Sequence, residues 1–197
     1  MNDSAIQALL TRTSLAGAFM APPAPDAAQL RQILGAAQRA ADHRRLRPWR
    51  FLIVRPDQYE IFFDRLAAAA TRAQGDPTRY EMNRDKYRLT ERAPLVIVAA
   101  AKIDPAHKTP AIEQAFAAAA ATQLVLTAAH ALGFAAFLFS GDGVKDPQFK
   151  QSLGLTPDDH LIGFICIGTA AGPGKPGPSA AESIEQGLAQ TVKQWIP

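Results

Sequence analysis

The sequence predicts an α+β or α/β fold in which one sheet is covered by helices on both sides. Four short runs of apolar and β-branched residues are spread along the chain, and segments with apolar residues at helical spacing separate them. Chains of this kind generally pack their helices against the faces of a single sheet. The length of 197 residues and the hydrophobic content of 48% suit one globular domain, which we take to span residues 1–197.

The four strands are predicted from compact apolar segments. Trp49–Val54 is rich in aromatic and β-branched residues and is followed shortly by Pro56, which cannot continue a strand. Leu95–Ala100 is apolar almost without interruption, which indicates burial on both faces of the sheet. The third and fourth predicted strands are Phe134–Phe139 and Leu161–Ile167.

In the first half of the chain, the pattern predicts four helices. Residues 4–11 and 27–40 carry apolar residues at helical spacing, and Asp26 supplies the N-cap of the second helix. A third helix is predicted from the cap Asp57 to about Thr71. A fourth, strongly charged helix is predicted over Pro77–Arg92.

The longest predicted helix is Ala111–Leu132, which has almost no charge after Glu113 and is ended by Gly133. A helix that is apolar nearly all round has to be buried, either in the centre of its own chain or against another subunit. Asp146 and Pro147 predict a short helix that begins with a cap and a first-turn proline. The segment Ala170–Ser179 is rich in proline and glycine and indicates an arm rather than a core element.

Composition narrows the possible functions. The net charge of +3 is too small to indicate nucleic-acid binding. The single cysteine, Cys166, lies in a predicted strand, where we expect a buried and unreactive thiol, and the four histidines show no ligand spacing, so we expect no metal site. A polar residue and a helix start close to the N-terminus argue against a secretory signal, so we expect a cytoplasmic protein without a membrane span.

Residues Gly172–Gly177 match the pattern G-x-G-x-x-G, which in some folds binds a dinucleotide. That loop must offer backbone N–H groups to a pyrophosphate and open a helix. Pro173 and Pro176 remove donors and block a helix, so we interpret the segment as part of the arm.

The segment Asp42–Arg50 is the most unusual in the chain, because it places four arginines, a histidine and a tryptophan between a helix and a strand. Three interpretations remain open at this point. The segment is a solvated basic loop with Trp49 in the core, a nucleic-acid-binding patch, or an anion pocket for a phosphorylated cofactor.

A set of short segments, in this order and spacing, resembles the FMN-dependent nitroreductase family, and within it the small NAD(P)H nitroreductase branch. The resemblance covers about residues 4–170. The segments that carry it are Leu9–Ser14, Arg39–His43, Pro48–Phe51, Arg92–Ile97, Glu113-Gln114, Leu132–Phe134, Ile162–Phe164 and Ile167–Thr169.

The resemblance implies an α+β fold, a three-layer sandwich with a mixed or antiparallel four-stranded sheet flanked by helices. It also implies an obligate homodimer with FMN at each of two subunit interfaces. In such a dimer the C-terminal arm, residues 170–197, is exchanged and adds a strand to the partner's sheet. The uncharged long helix and the Pro/Gly-rich arm fit this expectation.

The cofactor-binding residues of the branch can be carried over one at a time. The family's Arg-Arg-Ser triplet falls on Arg12, Thr13 and Ser14, which implies that Arg12 holds the phosphate and that Ser14 hydrogen-bonds cofactor oxygens. An arginine and a histidine that contact FMN fall on Arg39 and His43. A Trp-Arg-Ser stretch that lines the flavin corresponds to Leu138, Phe139 and Ser140.

Thr13 and Phe139 therefore stand where the branch has arginines. Each lost charge-assisted hydrogen bond is worth ~1.5–3 kcal/mol, so we expect weaker FMN binding unless other cations compensate. Lys175 and the arginines near Pro48 are the available compensating groups.

The function implied is that of an FMN oxidoreductase that takes hydride from NADH or NADPH and reduces a small acceptor, such as a nitroaromatic or a quinone, with ping-pong kinetics. The flavin carries this chemistry, so no catalytic side chain is expected. A non-catalytic flavin-binding or cofactor-free dimeric scaffold is the first alternative, and an anion- or nucleic-acid-binding module is the second.

Overall fold

The centre of the fold is an antiparallel sheet whose strands follow the order β2-β3-β5-β4, in a computed structural model that describes residues 3–172 and 180–195. A two-residue strand, β1, pairs with the C-terminal end of β5. The strands are β1 (Met20–Ala21), β2 (Trp49–Val54), β3 (Leu95–Ala101), β4 (Ala135–Phe139) and β5 (His160–Ala170).

Seven α-helices are present among the described residues. They are α1 (Asp3–Thr11), α2 (Ala27–Ala37), α3 (Tyr59–Gln74), α4 (Tyr80–Arg88), α5 (Ala111–Ala131), α6 (Pro147–Ser152) and α7 (Ala180–Thr191). All four strands expected from the sequence are therefore confirmed, and β1 is added to them.

The sheet separates two apolar cores, which makes the fold a three-layer sandwich. On one face, Leu95 and Ile97 of β3 pack with Ile33 of α2 and Val125 of α5. On the other face, Val96 and Val98 pack with the aromatic side chains of α3 and with Phe149 and Phe164. Every residue of β3 is buried, as its continuous apolar run predicts.

Helix ends that depend on local capping agree with the sequence. The Asp26 side chain accepts a hydrogen bond from the backbone N–H of Gln29, whose side chain accepts one in return from the Asp26 N–H. Asp146 caps α6 with its side chain alone, which accepts a hydrogen bond from the N–H of Phe149 at 2.7 Å. Gly75 ends α3 with a φ of 68°.

Three helix predictions are corrected by the structure. The second helix ends at Ala37 and does not reach residue 40. Asp57 is not a cap, because it lies inside a single 3₁₀ turn, Pro56–Gln58, and α3 begins after that turn. The predicted charged helix over Pro77–Arg92 is α4 with one 3₁₀ turn on either side.

Helix α5 lies on the sheet with one face only. Eight of its residues are buried in the chain's own core, among them Ala118, Ala121 and Val125. Its length and hydropathy would also suit a membrane span, but this buried face identifies a core helix. The Pro/Gly-rich segment 173–179, including Lys175, lies outside the described residues.

Candidate functional site

The first group of predicted site residues, Arg12 to Ser14, lies at the C-terminal end of α5. The Thr11 side chain is 3.1 Å from Nε2 of His130, which is the second-last residue of α5. The Leu15 N–H donates to the carbonyl of Ala136 in β4 at 3.3 Å. An Nη1 group of Arg12 donates to the Ser14 hydroxyl at 3.3 Å, so this arginine and this serine point to the same place.

The second group, Leu138 to Ser140, is at the end of β4. Leu138 packs towards the core beneath α2 and α5. Phe139 points to the opposite face, where its ring centroid is 5.0 Å from that of Phe164 and 6.2 Å from that of Tyr87. Ser140 follows the strand and is exposed. Two adjacent residues of this group therefore lie on different sides of the sheet, as strand geometry requires.

The third group, Arg39 and His43, lies at the opposite, N-terminal end of α5. Arg39 lies two residues beyond the end of α2 at Ala37, whereas the helix predicted over residues 27–40 would have included it. Nδ1 of His43 is 2.7 Å from the carboxylate of Glu113 in the first turn of α5. Both side chains of this pair are about half exposed, at 54% and 43%.

Residues 42–50, which we call the arginine turn, have an uncommon backbone. Arg44, Arg45 and Arg47 adopt φ values of 64°, 55° and 50°, in the left-handed region that residues other than glycine rarely occupy. The Asp42 carboxylate accepts the Arg47 N–H at 2.6 Å. The Arg50 guanidinium donates to the carbonyls of Arg47 and Trp49 at 3.0 and 2.8 Å, so the turn is held by its own side chains.

A polar cavity of about 430 Å³ opens beside the arginine turn. It is lined by the end of α2, by the turn and by the buried Trp49. The lining residues are Gln38, Arg39, Ala40, Asp42, Arg45, Arg47 and Trp49.

The first and third groups do not meet within one chain. The two contacts that fix their positions, at Glu113 and His130, are 17 residues apart on α5. At a rise of 1.5 Å per residue this is about 25 Å. A single cofactor therefore cannot reach, within one chain, both the contact at His130 and the contact at Glu113.

Between the two groups runs an exposed and uncharged face of α5, which we call the α5 stripe. Its members are spaced by three, four or one residues and so lie on one side of the helix. They are Ile112, Phe116, Ala119, Ala120 and Gln123. The two large side chains of the stripe, Ile112 and Phe116, are 57% and 64% exposed.

The remaining candidate groups are Cys166 and the side chains that could ligate a metal ion. Cys166 is fully buried in β5, and burial raises the pKa of its thiol to about 12, which agrees with an unreactive cysteine. Among residues 3–172 and 180–195, no three histidine, cysteine or acidic side chains come together as metal ligands do.

Sequence reasoning missed Glu113 as the partner of His43. The available signal was that Glu113 is the single acid in the first turn of an otherwise uncharged helix. It also missed the left-handed conformation of the arginines, for which the sequence contains no glycine or asparagine signal.

Comparison with known proteins supports one family. Residues 9–169 match the family model described as the nitroreductase family. A protein of Escherichia coli K12, provisionally named NAD(P)H nitroreductase YdjA, is 33% identical over 165 residues, which are 84% of this chain and 87% of that protein. A Haemophilus influenzae protein with the same provisional function is 34% identical over 170 residues, or 84% and 88% of the two chains.

Solved structures show the same fold at lower sequence identity. A nitroreductase-like family protein from Bacillus cereus aligns with a TM-score of 0.72 and 21% identity, over 91% of this chain and 93% of that one. A nitroreductase with bound FMN from Bacteroides fragilis aligns with a TM-score of 0.72 and 18% identity, over 98% of each chain.

Proposed function

The chain belongs to the nitroreductase family, and from this premise we propose that it is an FMN-dependent oxidoreductase that transfers two electrons from NADH or NADPH to a small acceptor. The acceptors we propose are nitroaromatics, quinones and similar small molecules. When bound, FMN supplies the hydride and electron chemistry, and the protein supplies binding, orientation and electrostatics. The sequence features of a soluble protein lead us to propose the cytoplasm as its location.

The observation that carries the proposal is the separation, along α5, of the residue groups that we propose to bind the cofactor. Arg12 and Ser14 lie at one end of this helix and His43 lies at the other, with the α5 stripe between them. The middle of the stripe is at Ala119 and Ala120. If two copies of the chain were related by a two-fold axis next to these alanines, their α5 stripes would pack against each other with the two helices antiparallel.

Such packing would bring His43 of one protomer towards Arg12 of the partner subunit. Each site would then be formed by both chains, and two sites would form in each dimer. The uncharged stripe would also be removed from water, which is the usual driving force for subunit association. We therefore propose a homodimer in which neither chain has a complete site alone. The segment from residue 170 onwards is proposed to act as an arm in the same interface.

The residues at the two ends of α5 suit a phosphorylated flavin. Arg12 offers a guanidinium that can hold a phosphate through two hydrogen bonds, and the Ser14 and Thr13 hydroxyls offer shorter donors beside it. β4 begins next to Leu15 and runs away from it, so Leu138 and Ser140, two and four residues beyond the Ala136 contact, are proposed to line the cofactor further along the strand. Phe139 would contribute through its backbone, because its ring is packed on the other face of the sheet.

His43 and Arg39 would act on the flavin from the other protomer. The Glu113 carboxylate accepts a hydrogen bond from Nδ1–H of His43 and so fixes the ring, and Nε2–H of the doubly protonated ring would donate to a cofactor oxygen. Arg39 is exposed and can add positive charge near the same place. Stabilisation of negative charge on the reduced cofactor is the electrostatic task that these groups would perform. NADH or NADPH and the electron acceptor would bind in turn at the same exposed face of the flavin, which gives ping-pong kinetics.

The first experiment is a flavin titration of the purified protein, followed by steady-state reduction of menadione and nitrofurazone with NADH and NADPH. We expect a flavin absorbance spectrum, activity that depends on FMN, and parallel lines in a double-reciprocal plot. Arg12→Ala should weaken FMN binding by about tenfold or more, because one charge-assisted contact is lost. Arg31→Ala, an exposed arginine on α2, serves as the matched control and should bind FMN as the parent does.

A second experiment tests the assembly. Ala120→Glu places two like charges across the proposed axis, so sedimentation should report a monomer with weakened FMN binding. Ala73→Glu, at an exposed alanine of α3, is the control and should leave the dimer intact. A folded monomer that binds FMN tightly would contradict the shared site. A protein that never binds FMN would favour the cofactor-free scaffold instead.

A further inference from the structure

The arginine turn carries more positive charge than the proposed flavin contacts use. We propose that this turn, with the cavity of about 430 Å³ beside it, binds the 2′-phosphate of NADPH and so makes the protein prefer NADPH to NADH. This inference rests on the function proposed above and specifies its cosubstrate. It concerns Arg45 and Arg47, which the resemblance to the family does not place in the cofactor site.

The backbone of the turn is the first reason. Left-handed conformations are unfavourable for residues with a Cβ atom, and such residues concentrate at functional sites when the surrounding structure holds them. Here three arginines adopt that conformation within four positions, 44 to 47. Asp42 and Arg50 hold the turn through hydrogen bonds to the backbone at 2.6 to 3.0 Å. These bonds hold the backbone of the turn without the help of glycine, and two of its arginines, Arg45 and Arg47, line the cavity.

The charge balance of the cavity is the second reason. Arg39, Arg45 and Arg47 line it together with a single acid, Asp42. One oxygen of that acid already accepts the Arg47 N–H. The four ion pairs found among the described residues include none of these three arginines. Their guanidinium groups are therefore available to an anion, and planar guanidinium groups match the geometry of a phosphate.

The position of the cavity is the third reason. It shares Arg39 with the proposed flavin contacts but does not include His43 or Arg12, so it adjoins the flavin site rather than forming part of it. The nicotinamide dinucleotide is long: its 2′-phosphate lies beyond the pyrophosphate, at the end far from the nicotinamide. A phosphate-binding cavity next to the flavin site fits that end of the molecule. NADH lacks this phosphate, and in known dinucleotide sites a nearby arginine accommodates it.

The test measures nucleotide binding directly, in addition to turnover. The FMN-loaded protein is titrated calorimetrically with 2′,5′-ADP and with 5′-AMP, which differ only by the 2′-phosphate. Arg45→Gln and Arg47→Gln remove one charge each and keep an unbranched, polar side chain on the same backbone. Arg47→Lys restores the charge, and Arg31→Gln on the exposed side of α2 is the control.

We expect the parent protein to bind 2′,5′-ADP at least tenfold more tightly than 5′-AMP. Each glutamine variant should weaken 2′,5′-ADP binding about tenfold, with 5′-AMP binding and FMN affinity unchanged. In the glutamine variants the KM for NADPH should rise and the KM for NADH should stay unchanged. Arg47→Lys should keep part of the preference for 2′,5′-ADP over 5′-AMP. Melting curves of all variants identify any that fail to fold.

Three results would overturn the inference. The first is equal binding of 2′,5′-ADP and 5′-AMP by the parent protein. The second is a loss of 2′,5′-ADP binding in Arg31→Gln as large as in the other glutamine variants. The third is a loss of FMN affinity in Arg45→Gln and Arg47→Gln, which would assign the turn to the flavin phosphate. Failure of the proposed function has a different signature. A protein that oxidises neither NADH nor NADPH but still prefers 2′,5′-ADP would refute the enzyme activity and keep the phosphate site.

Discussion

Replacement of Phe139 by arginine tests whether the pocket of this chain differs from that of its relatives. The resemblance places an arginine at this position in the branch, so Phe139→Arg could restore a lost contact to FMN. The structure leads to the opposite expectation. The ring of Phe139 lies between Phe164, Phe137 and Tyr87, with centroids 5.0, 6.4 and 6.2 Å away. An arginine there would enter an aromatic cluster.

The expected cost follows from these contacts. Each aromatic pair contributes ~0.5–1.5 kcal/mol beyond the burial of its area, and a guanidinium that loses water adds to the cost. Because Phe139 is only partly buried, the arginine can keep part of its side chain in solvent. We therefore expect Phe139→Arg to lower the free energy of unfolding by about 2 kcal/mol and to leave FMN affinity unimproved.

The assay combines urea denaturation of the FMN-free protein with a flavin fluorescence titration. Ser140→Arg is the matched control for the denaturation measurement, because it adds the same side chain one residue later at an exposed position, and it is left out of the FMN titration because Ser140 is itself a proposed FMN contact. This control should keep the stability of the parent. If Phe139→Arg were as stable as the parent and bound FMN about fivefold more tightly, a difference of roughly 1 kcal/mol, our reasoning about the pocket would be refuted.

Three further predictions concern the scaffold. Arg72 donates two hydrogen bonds to Asp146 and lowers the pKa of that carboxyl, so the stabilisation is present above the ordinary aspartate pKa and is lost as the pH falls through the lowered pKa. Asp146→Asn should therefore lower the free energy of unfolding by about 1–3 kcal/mol at pH 7. Equal losses at pH 7 and pH 3 in denaturation curves would contradict this. Cys166 should react with a thiol reagent at pH 8 only after unfolding, since burial raises its pKa; rapid labelling of the native protein would disprove its inert role. Gly168→Ala would place a Cβ atom 2.5 Å from Cδ of Pro94, which we expect to lower the free energy of unfolding by roughly 2 kcal/mol. In a protein of this size that loss lowers the melting temperature by about 4–8 °C. An unchanged melting curve would show that the strand can shift to make room.

The strands and several helix ends could be predicted because local interactions decide them. A continuous apolar run such as Leu95–Ala101 is stable only when both of its faces are buried, so it indicates a central strand wherever it occurs. Asp26 and Asp146 cap helices through N–H groups only three residues away. Asp57 had the same local signal, but a 3₁₀ turn comes first at Pro56, and the helix begins after that turn.

The candidate site could be predicted only in part. The resemblance supplied Arg12, Ser14 and His43, and the structure gives each of them an exposed or half-exposed position. The resemblance could not show on which face of the sheet the Phe139 ring lies. Strand alternation requires Leu138 and Phe139 to face opposite ways, but which face meets which helix depends on how the whole sheet is covered.

The sequence by itself determined the class of fold, the order of its main elements and the family, because apolar periodicity, capping residues and short motifs act over a few neighbouring positions. Only the tertiary structure decided three further features: the left-handed arginine turn, the pairing of His43 with Glu113, and the distance of about 25 Å between the two groups of site residues. These features depend on contacts between segments far apart in the chain. The free energy of such contacts comes from packing and desolvation across the whole molecule, which no local pattern records.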